Sequence, residues 1–174
     1  MVLLGDVTES LPLSDEETET FATSARLRPL FEELSHRRAI LVPGNHDQRA
    51  LSVLRRCFGR TQVALGGFRI GRVAFVHGHE AGLDGSHWVN DIVPWVVTIG
   101  ASLERLGIPV HFGTATNDEI AAPYSHRGSF VVFGHTHDPQ VGPRYANTGC
   151  FLQGQQSFVT LDGDRLSLWK GLWQ

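Results

Sequence analysis

Four times along this 174-residue chain a short apolar run ends in a glycine beside side chains that carry oxygen or nitrogen donors. Val2-Leu3-Leu4 leads into Gly5-Asp6, Ala39-Ile40-Leu41-Val42 into Pro43-Gly44-Asn45-His46-Asp47, Val73-Ala74-Phe75-Val76 into His77-Gly78-His79, and Phe130-Val131-Val132-Phe133 into Gly134-His135-Thr136-His137. Runs this short and this apolar read as buried strands. Glycine lets the chain turn sharply off a strand end and lets backbone come close to a ligand. Asp, Asn and His supply the oxygen and nitrogen donors suited to Mn, Fe, Ni or Zn. The recurrence therefore predicts a fold in which several strand ends converge at one sheet edge, with Asp6, Asn45, His77, His135 and His137 as donors. Taken singly, Asp6 reads as a turn or helix cap and Asn45 as a turn residue; only the joint pattern favours the metal reading.

The segments between these runs point to an α/β domain. Ser14 with Glu17 three positions on is a capping box, opening a helix to about residue 26 with Phe21 and Ala25 on its core side. Pro29 interrupts that helix and starts a second to about residue 35, with Leu30, Phe31 and Leu34 inward. Strand, helix and strand in this order form a parallel βαβ unit. A helix over residues 48–57, a strand near Val63, a turn at Gly66-Gly67 and strands over 68–70 and 73–76 follow. Residues 80–126 are less regular and read as a cap or insertion with one helix over 90–106. After the strand over 129–133, Tyr145 and residues 151–152, 157–161 and 166–169 read as a final run of antiparallel strands. The length fits one domain, residues 1–174, able to bury its own core.

Composition excludes several function classes. A net charge of -3 offers no basic field for a polyanion, and the arginines are scattered, so nucleic-acid binding is not indicated. Cys57 and Cys150 stand far apart with no C-x-x-C, which reads as two reduced thiols in a reducing, cytoplasmic setting. The start of the chain lacks the basic region, long apolar run and cleavage site of a signal peptide. The most apolar stretch, residues 92–110, is broken by Pro94, Glu104, Arg105 and Pro109, and does not read as a membrane span.

The segments G-D-x-x-E (residues 5–9), G-N-H-D (44–47), V-H-G-H (76–79) and G-H-T-H (134–137), in this order, resemble the calcineurin-like metallophosphoesterase family. G-D and H-G-H are weak alone; G-N-H-D and G-H-T-H together in order are specific. The resemblance implies a layered α-β-β-α sandwich of two mixed sheets flanked by helices, with divalent transition metals such as manganese at the strand ends. It implies that Asp6 bridges two metals, that Asn45, His77 and His135 complete one site, and that His137 belongs to the other. His46 would be the general acid at the leaving group, oriented by Glu9. The implied reaction is hydrolysis of a phosphomonoester, phosphodiester or pyrophosphate by metal-bound hydroxide. Two cations roughly 3.5 to 4 Å apart suit such an attack, and an imidazole held by a carboxylate can stay protonated beside a phosphate.

One element of the family pattern is missing. The family opens with an Asp-x-His strand upstream of G-D, whereas only four residues precede Gly5 and no D-x-H occurs anywhere in the chain. The expectation is a domain lacking its first strand, either shortened or native, with one well-formed metal site and one incomplete one. An open edge beside residues 2–4 would favour self-association. His87, His111 or His126 could serve as a substitute ligand. Asp47 reads as structural, and His79 reads equally as facing the substrate or as a loop residue. Trp88, Ile92, Trp95, Val96 and Ile99 could line an apolar substrate groove but at helical spacing read as core. The expected partner is a small phosphorylated substrate. The alternative to an enzyme is a scaffold subunit that keeps the fold with a defective metal site.

Overall fold

The computed structural model describes residues 1–7, 14–25, 28–47, 51–57, 59, 61–79, 116–124, 128–149, 155–163 and 165–172. Glu9, Cys150, residues 80–115 and 125–126 of the cap, the helix over 90–106 and the strand over 151–152 lie outside them.

The first half builds a parallel sheet in the order β1 (Val2–Leu4), β2 (Ile40–Val42), β3 (Gln62–Val63), with Val2 opposite Ile40 and Ile40 opposite Gln62. Parallel neighbours need a crossover, and α1 (Asp15–Ala22) and α2 (Arg28–His36) supply it between β1 and β2, with α3 (Leu51–Cys57) between β2 and β3. Ser14 caps α1 with the expected box: its hydroxyl accepts from the Glu17 N–H at 3.2 Å, while the Glu17 carboxylate accepts from the Ser14 N–H at 2.8 Å. α1 stops at Ala22, and Phe21 and Ala25 are exposed, against the inward face expected of them. The reason lies in D-E-E-T-E-T: six polar residues in succession leave no apolar stripe to bury. The core of this half instead gathers Leu34, Ala39, Leu41, Val53 and Leu54, with Leu3, Val7 and Val63 packed against them.

The second sheet is mixed, in the order β4 (Phe68–Ile70), β5 (Val73–Phe75), β6 (Phe130–Phe133), β8 (Tyr145–Asn147), β7 (Gln140–Val141). β4 and β5 form an antiparallel hairpin, and β5 runs parallel to β6. β8 pairs antiparallel with β7, as expected of Tyr145, but runs parallel to β6 on its other side. The two-residue strand β7 takes the outer edge first, and the chain then returns antiparallel to it between β7 and β6. α4 (Asn117–Ala121) is capped by Thr116 with a second capping box to Glu119 and buries Ile120 and Ala121 against Ala74, Val76, Val131, Phe133 and Tyr145. β9 (Gln155–Asp162) and β10 (Arg165–Leu172) form a regular antiparallel hairpin. The chain is thus a mixed α/β fold with parallel and mixed sheets. No helix among the described residues is long and apolar enough to cross a membrane.

Candidate metal centre

β1, β2, β5 and β6 all release the chain at their carboxyl ends into the four glycine-marked loops, and these loops meet. Gly5 (φ 74°) and Asp6 (φ 48°) are both left-handed, a double turn that swings the Asp6 carboxylate off the end of β1. Asp tolerates this region better than most side chains. Gly44 lies so close that a Cβ there would run into Asp6 Oδ1 and the Asp6 backbone. The loop after β2 is held from inside by Asp47, fully buried, whose Oδ2 accepts from Gly44 N–H at 3.0 Å and from Val7 N–H at 3.3 Å. A further bond, from His46 N–H to Asp6 Oδ1 at 3.1 Å, joins the two loops.

His77, 1 % exposed, reaches from the end of β5 into this junction. Its Nδ1 lies 2.8 Å from the carbonyl oxygen of Leu4. A carbonyl can only accept, so Nδ1 carries a proton, and Nε2 is the atom turned to Asp6: it presents a lone pair when the ring is neutral and donates to the carboxylate when the ring is protonated. That Nε2 lies 3.2 Å from Asp6 Oδ2 and 3.2 Å from His135 Nδ1. With the ring neutral, three lone-pair atoms converge, an arrangement that a cation among them would relieve. Asp6, His77 and His135 each offer one such atom, all within 4.8 Å of one another.

The electrostatics agree. In the metal-free protein burial works to raise the Asp6 carboxyl, but the hydrogen bond and charge of protonated His77, helped by His46, bring it down to about 2. Burial and then the neighbouring His77 push His135 down to about 4, partly offset by Asp6, so the ring stays neutral and able to bind a metal.

Two more observations fit a cation. Asn45 Oδ1 is buried with no hydrogen-bond partner among the described residues, and such an orphan needs a partner such as a metal ion. The rings of His77, His79 and His135 cluster, with centroids 5.3 Å apart for His77 and His79 and 5.0 Å for His77 and His135. His137, exposed and left-handed at φ 57°, stands outside the three-residue group but near enough for its charge to act on His135. Glu9 lies outside the described residues.

Sequence reasoning missed Asn117 and Asn147, which bond to Thr136 inside G-H-T-H, with Thr136 Oγ1 donating to Asn117 Oδ1 at 2.7 Å. The only signal in the sequence was a polar Asn at the end of a buried strand. Residues 1–139 match a family model described as calcineurin-like phosphoesterase. No curated protein matches the sequence.

Proposed function

Because the chain belongs to the calcineurin-like phosphoesterase family, we propose that it hydrolyses phosphate esters with a divalent transition metal, manganese being a suitable ion, held by Asp6, Asn45, His77 and His135. The observation that carries this reading is the convergence of His77 Nε2, Asp6 Oδ2 and His135 Nδ1 on one point, with His77 Nδ1 committed to Leu4. A bound cation supplies Lewis-acid polarisation of a phosphoryl oxygen and activates water.

The chain's own groups do the rest. Asp6 stays ionised throughout the working range and takes the cation's charge. His77 is fixed in one tautomer by the Leu4 carbonyl, which keeps its donor atom aimed without reorganisation. His46 is tied to the centre through its own N–H on Asp6 Oδ1. Its imidazole is the group we assign to protonate the leaving oxygen, with Glu9 as the carboxylate that the family resemblance pairs with it. His137 belongs to a second, less complete metal position.

The substrate is a small phosphomonoester, phosphodiester or pyrophosphate, which agrees with a net charge of -3 that offers no attraction for a polyanion. A cytoplasmic setting follows from the reduced-thiol reading of its two cysteines. Self-association through β1 is part of the same proposal, supported by β1 pairing only with β2 among the described residues.

The test is hydrolysis of an activated aryl phosphodiester and of an alkyl phosphodiester, with Mn²⁺ and with chelator. Chelation should abolish turnover of both. His46→Ala should keep metal content near the parent's and slow the poor leaving group by about 10² to 10⁴, with a much smaller loss on the activated ester. Equal losses on both esters would remove His46 from the acid role. A parent that binds Mn²⁺ and hydrolyses neither ester would favour the scaffold reading.

A further inference from the structure

Between His135 and His137, Thr136 sends its hydroxyl away from its neighbours' role and into a buried polar network. It donates to Asn117 Oδ1 at 2.7 Å. Asn147, fully buried, donates through Nδ2 to that same oxygen at 2.8 Å and to the Thr136 hydroxyl. The orientation of every group follows from one backbone donor. Gly149 N–H can only donate, so the Asn147 atom 2.8 Å from it is the carbonyl oxygen. The Asn147 amide nitrogen must then face Asn117 and Thr136, which obliges Asn117 to present its oxygen there. Its own nitrogen is left to donate to Gln140 Oε1 at 3.0 Å and, at longer range, to the Asp138 carbonyl. Asn117 is the first residue of α4, where the Thr116 capping box fixes the backbone.

The loop needs such an anchor. His137 holds φ at 57°, a left-handed backbone that residues other than glycine keep only where the surroundings enforce it. The turn's own bond, His137 N–H to Gly134 O, is long at 3.4 Å. We infer that Thr136, Asn117 and Asn147 are positioning residues that hold His135 and His137 in place for a metal, with the Thr136 hydroxyl as the link. The inference rests on the metal reading proposed above. It adds that a helix and a strand remote in sequence from the donors set their affinity.

Thr136→Ala and Thr136→Ser differ by one hydroxyl. Titration with Mn²⁺ should give Thr136→Ala an affinity about 10- to 100-fold below the parent's, while Thr136→Ser stays near it. The visible bands of Co²⁺-loaded Thr136→Ala should shift from the parent's, and those of Thr136→Ser should not. A role in stability alone would leave the Co²⁺ spectrum unmoved. Asn117→Ala should weaken Mn²⁺ binding as well, and adding it to Thr136→Ala should cost little more, because both remove the same link. Should Thr136→Ala not fold, Thr136→Val takes its place. Parent-like affinity and spectrum in the hydroxyl-free variant overturn the inference alone. A parent chain that binds neither Mn²⁺ nor Co²⁺ overturns the metal reading and the inference with it.

Discussion

The loops around His77 and the hairpin of β9 and β10 show opposite ways of using a chain. The hairpin obeys local rules throughout. Its eight cross-strand pairs run in unbroken register from Gln155 opposite Leu172 to Asp162 opposite Arg165, and Phe158 stacks on Trp169 with 6.1 Å between ring centroids on an exposed face. The metal centre breaks local rules at nearly every turn. Asp6 and His137 are left-handed, Asn45 keeps an orphaned oxygen, and His77 is buried among other donors. Strain gathers in these loops, with Asp6 and His137 two of the three left-handed non-glycine residues among those described and Arg38 the third.

Substituting one glycine in each region puts the contrast at its sharpest. Gly44→Ala drives a methyl group into Asp6 Oδ1 and the Asp6 backbone, and should cost about 3 kcal/mol or more along with metal binding. Gly163→Ala, in the hairpin turn at φ 57° with no atom within 4 Å of the added carbon, should cost only about 1 to 2 kcal/mol and leave metal binding alone. Denaturant unfolding and a Mn²⁺ titration measure both. Equal effects would erase the distinction between the regions.

Acid should act on the centre and pass the hairpin by. In the metal-free protein His135 remains neutral down to about 4, whereas in the unfolded chain it takes up a proton near the usual histidine value of 6.5. The unfolded state therefore binds more protons across that window, and stability should fall as pH drops through it, by at most about 1.4 kcal/mol per pH unit. Below it Asp6 continues the trend, since it stays ionised from 3.8 down to about 2 when folded. Unfolding curves between pH 7 and 4 read the slope. His135→Gln should flatten it, and Trp169→Ala should not.

The smallest effect belongs to the hairpin's exposed face. Trp169→Ala should cost about 0.5 to 1.5 kcal/mol through the lost stack on Phe158, with Mn²⁺ affinity unchanged. A weakened metal site in that variant would mean that the hairpin supports the centre.

Much of this arrangement was legible in the sequence because it is written locally. Apolar runs, glycines and donors adjacent in the chain place Asp6, Asn45, His77 and His135 at strand ends, and Ser14 with Glu17 gives the start of α1. What could not be read depends on distant partners. Nothing near Tyr145 says that β7 takes the outer edge first and forces β8 parallel to β6. Phe21 looks inward by residue type, yet a helix of acidic and threonine residues offers no face to bury it. Thr136 is ordinary between two histidines until Asn117, 19 residues before it, and Asn147, 11 residues after it, are brought to its hydroxyl.

The bond between His77 and the Leu4 carbonyl spans 73 residues of chain, and His135 lies farther along still. A centre closed by such separated pieces cannot form early, because loop-closure entropy must be met before any donor finds its neighbours. The donors are therefore expected to come together after the sheets that carry them. An ion held by these donors should then slow unfolding more than it changes folding, and rates measured with and without Mn²⁺ read the difference.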